Sequence, residues 1–239
     1  TPTGGTFSYS SGTTAVATIS GSTVTIVASG TSVITATYTP SDTTNYNTAT
    51  TTMTLTVSQL TITTQSAPTI TNTPGVLKSL NVSWNAATGA SSYTVKIYDA
   101  TPTLVKTITG LSGTSATIAD ASFTDDTSYT ATVTAIGSGS YASSAESTKS
   151  TAGKTAKTYT ISYNANNATS GSAPTGFTYI TGASAVTVSA NSGTLARTGF
   201  TFAGWNTAAN GSGTDYAAST GTYSTAADAT LYAKWTALV

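Results

Sequence analysis

The sequence predicts a mainly β chain of 239 residues divided into three tandem modules, and three observations carry that expectation. About a quarter of the residues are Thr, whose branched Cβ favours strands, and sparse Leu, Glu and Lys leave little material for long helices. Apolar residues recur at every second position over short runs, the period of a half-buried strand. Turns rich in Gly, Ser, Asn and Asp punctuate those runs, and the length exceeds that of one small domain.

The first module is read over residues 1–58. Its strands are Ala15-Val-Ala-Thr-Ile19, Val24-Thr-Ile-Val27 and Val33-Ile-Thr-Ala-Thr-Tyr38, separated by turns at Ser20-Gly21-Ser22 and Ser29-Gly30-Thr31. A fourth, Met53-Thr-Leu-Thr-Val57, alternates strictly, placing Met53, Leu55 and Val57 inward and the Thr side chains on the outer face. Ser8-Tyr-Ser-Ser-Gly-Thr-Thr-Ala-Val-Ala-Thr-Ile19, followed by Val24-Thr-Ile and Gly30-Thr-Ser-Val-Ile-Thr-Ala-Thr, resembles the bacterial immunoglobulin-like group 2 family. The resemblance implies an immunoglobulin-like β-sandwich. It also implies that further strand-forming residues stand before Phe7-Ser-Tyr-Ser-Ser, supplied by upstream sequence of a longer protein or by a strand from a neighbouring subunit.

Gln59 to Pro68 reads as a polar linker, and residues 67–150 form the second module. Leu80-Asn-Val-Ser-Trp84, Tyr93-Thr-Val-Lys-Ile-Tyr98, Leu104-Val-Lys-Thr-Ile108, Ser115-Ala-Thr-Ile118 and Tyr129-Thr-Ala-Thr-Val-Thr-Ala135 alternate over short spans with regular turns, the pattern of a sandwich. Trp84 closing one strand, Tyr93 opening the next, Phe123 and then Tyr129 together resemble the fibronectin type III family. The resemblance implies a second immunoglobulin-like sandwich with Trp84 and Tyr129 in its core and a tyrosine corner at Tyr129. Ser147 to Thr158 reads as a second linker; its Lys149, Lys154 and Lys157 make a solvated hinge or a contact for an anionic polymer.

The third module spans residues 158–239. Phe200 and Phe202 share a strand face, Gly204 permits a bend, and Asn210-Gly211 favours a tight reversal. In Leu231-Tyr-Ala-Lys-Trp235, Leu231, Ala233 and Trp235 face one way and Tyr232 and Lys234 the other. Tyr163-Asn-Ala-Asn, Gly193-Thr-Leu-Ala-Arg-Thr-Gly-Phe-Thr-Phe-Ala-Gly-Trp-Asn206, Gly211-Ser-Gly-Thr-Asp-Tyr216 and Leu231-Tyr-Ala-Lys-Trp235 resemble the Listeria–Bacteroides repeat, or internalin B-repeat, of bacterial surface proteins. A small β-grasp-like module used as a spacer or interaction unit is implied. Bulky aromatics in so small a module belong to its core, so Phe200, Phe202, Trp205 and Trp235 are expected there. Tyr232, alternating to the opposite face, is the candidate ligand-facing aromatic.

Chemistry is narrowed by inventory. The chain has no His and no Cys, which excludes Ser-His-Asp and Cys-His mechanisms, and leaves zinc only carboxylate ligands. The carboxylates Asp42, Asp99, Asp120, Asp125, Asp126, Asp215, Asp228 and Glu146 are scattered, so no acid pair for glycoside hydrolysis is evident. Asp120, Asp125 and Asp126 cluster without the spacing of a calcium loop and read as a polar turn. No catalytic, cofactor-binding or metal-ligating residues are expected, and no acid is singled out that would promote a Lys–Asn isopeptide bond. Eight basic and eight acidic residues balance without a basic cluster, which argues against nucleic acid and anionic membrane as partners. No apolar run has membrane-spanning length. The sequence therefore reads as a non-catalytic, extracellular stalk, adhesin or fibre segment of a bacterial cell-surface protein. Its partners would be a protein or polysaccharide on a cell surface, or neighbouring subunits of a filament. The alternative is an accessory carbohydrate-binding region of a secreted enzyme.

Overall fold

The computed structural model describes residues 4–239, and no helix occurs among the described residues. In the first module, β1 (Gly5–Ser11), β4 (Gly30–Pro40) and β5 (Ala49–Val57) form an antiparallel sheet in the order β1-β4-β5, while β2 (Ala17–Ser20) and β3 (Thr23–Ile26) make a separate hairpin. Pairing of Phe7 with Tyr38, Tyr9 with Ala36 and Ile34 with Met53 puts these side chains on one face. Thr35, Thr37, Thr50, Thr52 and Thr54 occupy the other.

The hairpin covers only one end of the apolar face. There Val16 and Ala17 are buried, and the Ser32 hydroxyl, also buried, bonds the Ser11 hydroxyl at 2.8 Å and accepts the Thr13 N–H at 3.0 Å. Gly30 has φ +140°, and a Cβ on it would stand 2.8 Å from Val16 Cγ2, so the close approach of the two layers needs glycine. Met53 departs from the expectation: it shares the Ile34 face yet is 63% exposed, as is Phe7. Alternation decides only which way a side chain points, whereas burial requires a second layer opposite, and a two-stranded hairpin does not extend that far. Leu55 and Val57 are half-buried.

The second module contains β6 (Leu60–Thr61), β7 (Thr69–Asn72), β8 (Ser79–Ser83), β9 (Ala90–Tyr98), β10 (Leu104–Leu111), β11 (Ser115–Ala119), β12 (Ser128–Gly137), β13 (Tyr141–Ala142) and β14 (Gly153–Lys154). Sheets β11-β8-β7 and β10-β9-β12-β14 face each other, a three-on-four sandwich of fibronectin type III-like arrangement. Leu80, Val82, Val95, Ile97 and Val133 close its core at 0–1% exposure, which follows from the alternation of their strands. Trp84 is buried at 7% with its ring 5.5 Å from Tyr93, and its indole N–H has no partner among the described residues. Buried Tyr129 packs 5.0 Å from Phe123, and its hydroxyl accepts the Thr124 N–H at 2.9 Å, a tyrosine-corner contact five residues back.

Both stretches read as linkers are instead partly docked on this sandwich, and each carries one two-residue strand, β6 and β14. Leu60 donates its N–H to Ser140 and Ile62 to Ala142, and Ile62 is buried in the core. At the other end, the backbone N–H groups of Ser144, Ser147 and Ser150 donate to the carbonyls of Ala135, Val133 and Ala131 at 2.8–2.9 Å. Their buried hydroxyls accept the N–H groups of the same three residues at 2.9–3.0 Å. A hydroxyl thus replaces the carbonyl of a regular ladder, and three residues on this strand match two on β12. Polar composition misled here because strand pairing uses backbone groups that any residue supplies.

The third module comprises β15 (Thr158–Asn164), β16 (Phe177–Ile180), β17 (Val186–Thr187), β18 (Phe200–Asn206), β19 (Asp215–Tyr216), β20 (Thr222–Tyr223) and β21 (Ala229–Ala237). The sheet order is β16-β15-β21-β18-β19, with β15 and β21 parallel at its centre and the other neighbours antiparallel. That is a grasp-like sheet, and the segment between β16 and β18 holds the short strand β17, paired with β20, and no helix. Trp205, Ile161, Leu231 and Ala233 are at 0% exposure. The pairing slips between Phe202 and Gly204; Gly204 has φ +113°, and a Cβ on it would meet the Tyr216 carbonyl at 2.7 Å. This bulge brings Phe202 and Trp205, three apart, onto one face, edge to face at 5.1 Å. Trp235 is half-buried against Phe202 at 5.8 Å. Phe200 departs from its expected core place. Opposite Ala237 near the end of β21, it lies beyond the covering layer and is half-buried beneath the Arg197 guanidinium at 4.0 Å.

Candidate functional site

Two clefts open on the third module, one on each side of a loop organised by Asn206. This side chain is 1% exposed and completely bonded: Oδ1 accepts the N–H groups of Ala208 at 2.7 Å and Gly213 at 3.0 Å. Its Nδ2 donates to the carbonyls of Gly211 and Gly213 and to Asp215 Oδ1 at 2.6 Å. The loop is therefore held by one side chain rather than by sheet pairing. Across it, Asn166, with φ +46°, donates Nδ2 to the Ala209 and Ala233 carbonyls, both at 2.8 Å, while its own carbonyl accepts the Trp235 indole N–H at 2.7 Å.

The first cleft has a volume of about 410 Å³. Tyr232 lines it, half-buried, together with Thr207, Thr214, Tyr216, Asp228 and Thr230. Tyr232 stands opposite Asn206 and Asn164, on the face away from Leu231 and Ala233. At the cleft's base, Tyr223 donates to the Ala227 carbonyl at 2.7 Å; burial, with Tyr216 and Asp228 nearby, pushes its phenol up, so it remains a neutral donor. The second cleft, about 340 Å³, is lined by Arg197, Lys234, the three amides of Asn166, Asn206 and Asn210, and Trp235, with small Ala208, Ala209 and Gly211 between.

Lys234, Asp215 and Asn206 assemble an amine, a carboxylate and an amide on adjacent strands, with Lys234 Nζ 2.5 Å from Asp215. The Lys234 bond first, then that from Asn206, holds the Asp215 carboxyl below the usual carboxylate range. An isopeptide bond needs an uncharged amine and a protonated acid. The depressed Asp215 carboxyl stays ionised in this exposed pair, so the arrangement acts as a clamp on the loop. The acidic turn separates likewise. Asp120 pairs with Lys106 at 2.5 Å, Asp125 accepts the Lys78 N–H at 2.9 Å, and Asp126 pairs with Lys154 at 2.6 Å. Lys149 lies over the Tyr98 ring at 4.1 Å, and Lys157 is 3.8 Å from Asp126, so the three lysines of the expected hinge do not form one patch. No group of three potential metal ligands occurs among the described residues.

Sequence reasoning passed over Arg197, Asn166 and Asn206 as cleft-forming residues. Arg197 is the only arginine of the chain, which was a readable signal. The roles of the two asparagines come from contacts across strands and carried none.

Residues 159–234, about a third of the chain, match the Listeria-Bacteroides repeat domain. None of the curated proteins searched matches the chain. Among solved structures, an Fn3-like protein from Clostridium thermocellum is 26% identical, over 38% of this chain and 90% of that one, with a TM-score of 0.31. A segment of two fibronectin type III domains from chicken tenascin is 13% identical, over 60% and 80%, at 0.33. Domains A168-A170 of titin are 18% identical, over 53% and 41%, at 0.30. The third module is thus similar in sequence to the Listeria-Bacteroides repeat.

Proposed function

We propose that the chain is a non-catalytic structural and adhesive segment, a stalk or fibre, of a bacterial extracellular surface protein, with an immunoglobulin-like group 2 module at its start. The observation that carries this reading is the Listeria-Bacteroides repeat match at residues 159–234, placed after two all-β modules with no helix among the described residues. Small modules in series set reach, and their loops are free to carry contacts. The test is small-angle scattering of the whole chain. A stalk gives a radius of gyration well above roughly 18 Å, the value for a compact body of this length. A value close to that figure overturns the stalk.

A second reading, an accessory carbohydrate-binding region of a secreted enzyme, is favoured by the half-buried Tyr232 in its cleft. Retention on insoluble polysaccharide, lost in Tyr232→Ala, would support it; equal retention of parent and variant would remove Tyr232 from any such site.

A further inference from the structure

We infer that the cleft between Arg197 and Trp235 binds the carboxylate of an acidic sugar. Its lining carries two cations and three amides and no carboxylate. Lys234 is engaged by Asp215, but the Arg197 guanidinium has no ion pair or hydrogen bond among the described residues. Its Cζ lies over the Phe200 ring at 4.0 Å, and its planar fork suits a carboxylate with two parallel N–H bonds. Asn210 accepts from Ser212 through Oδ1, at 3.1 Å from its N–H and 2.7 Å from its hydroxyl, which leaves its Nδ2 as a further donor.

Sugar is the class favoured over a bare anion because the cleft has a half-buried indole in one wall. Trp235 Nε1 is held by the Asn166 carbonyl, so the ring is locked and offers an apolar surface to the C–H face of a pyranose. The walls are fixed before a ligand arrives: Asn206 and Asn166 together tie the loop to β18 and β21. A volume of about 340 Å³ lies at the small end of ligand pockets and has room for a sugar ring or two, not for a folded partner. The inference goes beyond the stalk reading and does not depend on it, since a stalk needs no ligand on this face.

The experiment is a titration of the full chain with tri-galacturonate, and with maltotriose as a neutral control, at low salt, followed by ¹⁵N NMR. The single arginine gives one Nε–H resonance, which reports the site directly. The expected result is a saturable shift of that resonance and of the Trp235 indole N–H with tri-galacturonate. Neither should move with maltotriose. Arg197→Gln should weaken binding by about tenfold or more, as loss of a charged bidentate pair does, with the rest of the spectrum preserved. Arg197→Lys should recover only part of the affinity. No shift with tri-galacturonate, equal shifts with the neutral sugar, or undiminished affinity in Arg197→Gln overturns the proposal. Inorganic phosphate giving the same shifts at the same concentrations overturns the assignment to sugar. The scattering result is untouched by all of these, so the two readings fail separately.

Discussion

At the scale of single residues, the polar side chains with most to lose are the buried ones that replace backbone partners. Asn206 serves two donors, two carbonyls and a carboxylate at 1% exposure, so its removal takes away five bonds that hold the loop. Asn206→Ala should destabilise the third module by about 1–3 kcal/mol, through the loss of the buried amide's bonds to the loop. Denaturant unfolding followed at the resonances of that module checks it; a loss below 1 kcal/mol by the same measure would show that the loop holds itself. Trp84 acts through volume instead. Its ring fills the space against Tyr93, and Trp84→Ala should cost about 3–5 kcal/mol, enough to unfold the second module near its ordinary stability. A calorimetric step for that module at the parental temperature would contradict the assignment.

At the scale of elements, the irregular strand 144–150 shows how a polar sequence earns a place in a sheet. Each of Ser144, Ser147 and Ser150 presents both an N–H and a hydroxyl to one residue of β12, a three-residue period set against the two-residue period of β12. Ser147→Ala removes the partner of the buried Val133 N–H and should cost about 1–3 kcal/mol. Amide exchange at Val133 is the direct readout, expected to accelerate far more than at Ile97 on β9. Equal rates in parent and variant would mean that the backbone bonds alone hold the edge. The Gly204 bulge is the comparable device in the third module: without it, Phe202 and Trp205 would point to opposite faces and the core would lose one of them.

At the scale of the whole molecule, five of the eight basic side chains pair with four of the eight acidic ones among the described residues, and these pairs link separate segments. Glu146 is the main example. Burial pushes its carboxyl up, but bonds from Lys96, Thr132 and Tyr98 outweigh burial and bring it down to about 2, against an ordinary 4.5. A depressed carboxylate contributes stability above its unfolded value, which is lost as pH falls from about 4.5 towards 2. With a third of the side chain open to solvent, screening limits this to about 1 kcal/mol. Melting temperature of the second module should therefore fall over that window in the parent, and Glu146→Gln should flatten the slope. The first and third modules, which do not contact Glu146 through any of these bonds, should keep their own profiles.

The all-β class was legible in the sequence, because alternation and turn chemistry are local and each strand of a covered sheet obeys them. The exposure of Met53, the docking of residues 59–62 and 143–157, and the position of Phe200 were not. Each depends on what lies across the sheet: a hairpin too short to cover β5, a core that accepts Ile62, a β12 edge that accepts serines, a layer that stops before Ala237. The clefts belong to the same class. Tyr232 announced itself by alternation, whereas Arg197, Asn166 and Lys234 are separated by dozens of residues and become neighbours only when β15 and β21 lie parallel. The sequence by itself determined an all-β chain and excluded His and Cys chemistry. Tertiary structure alone decided which edges are filled, which faces stay open and where a cation stands without a partner, because those depend on contacts between segments with no shared local pattern.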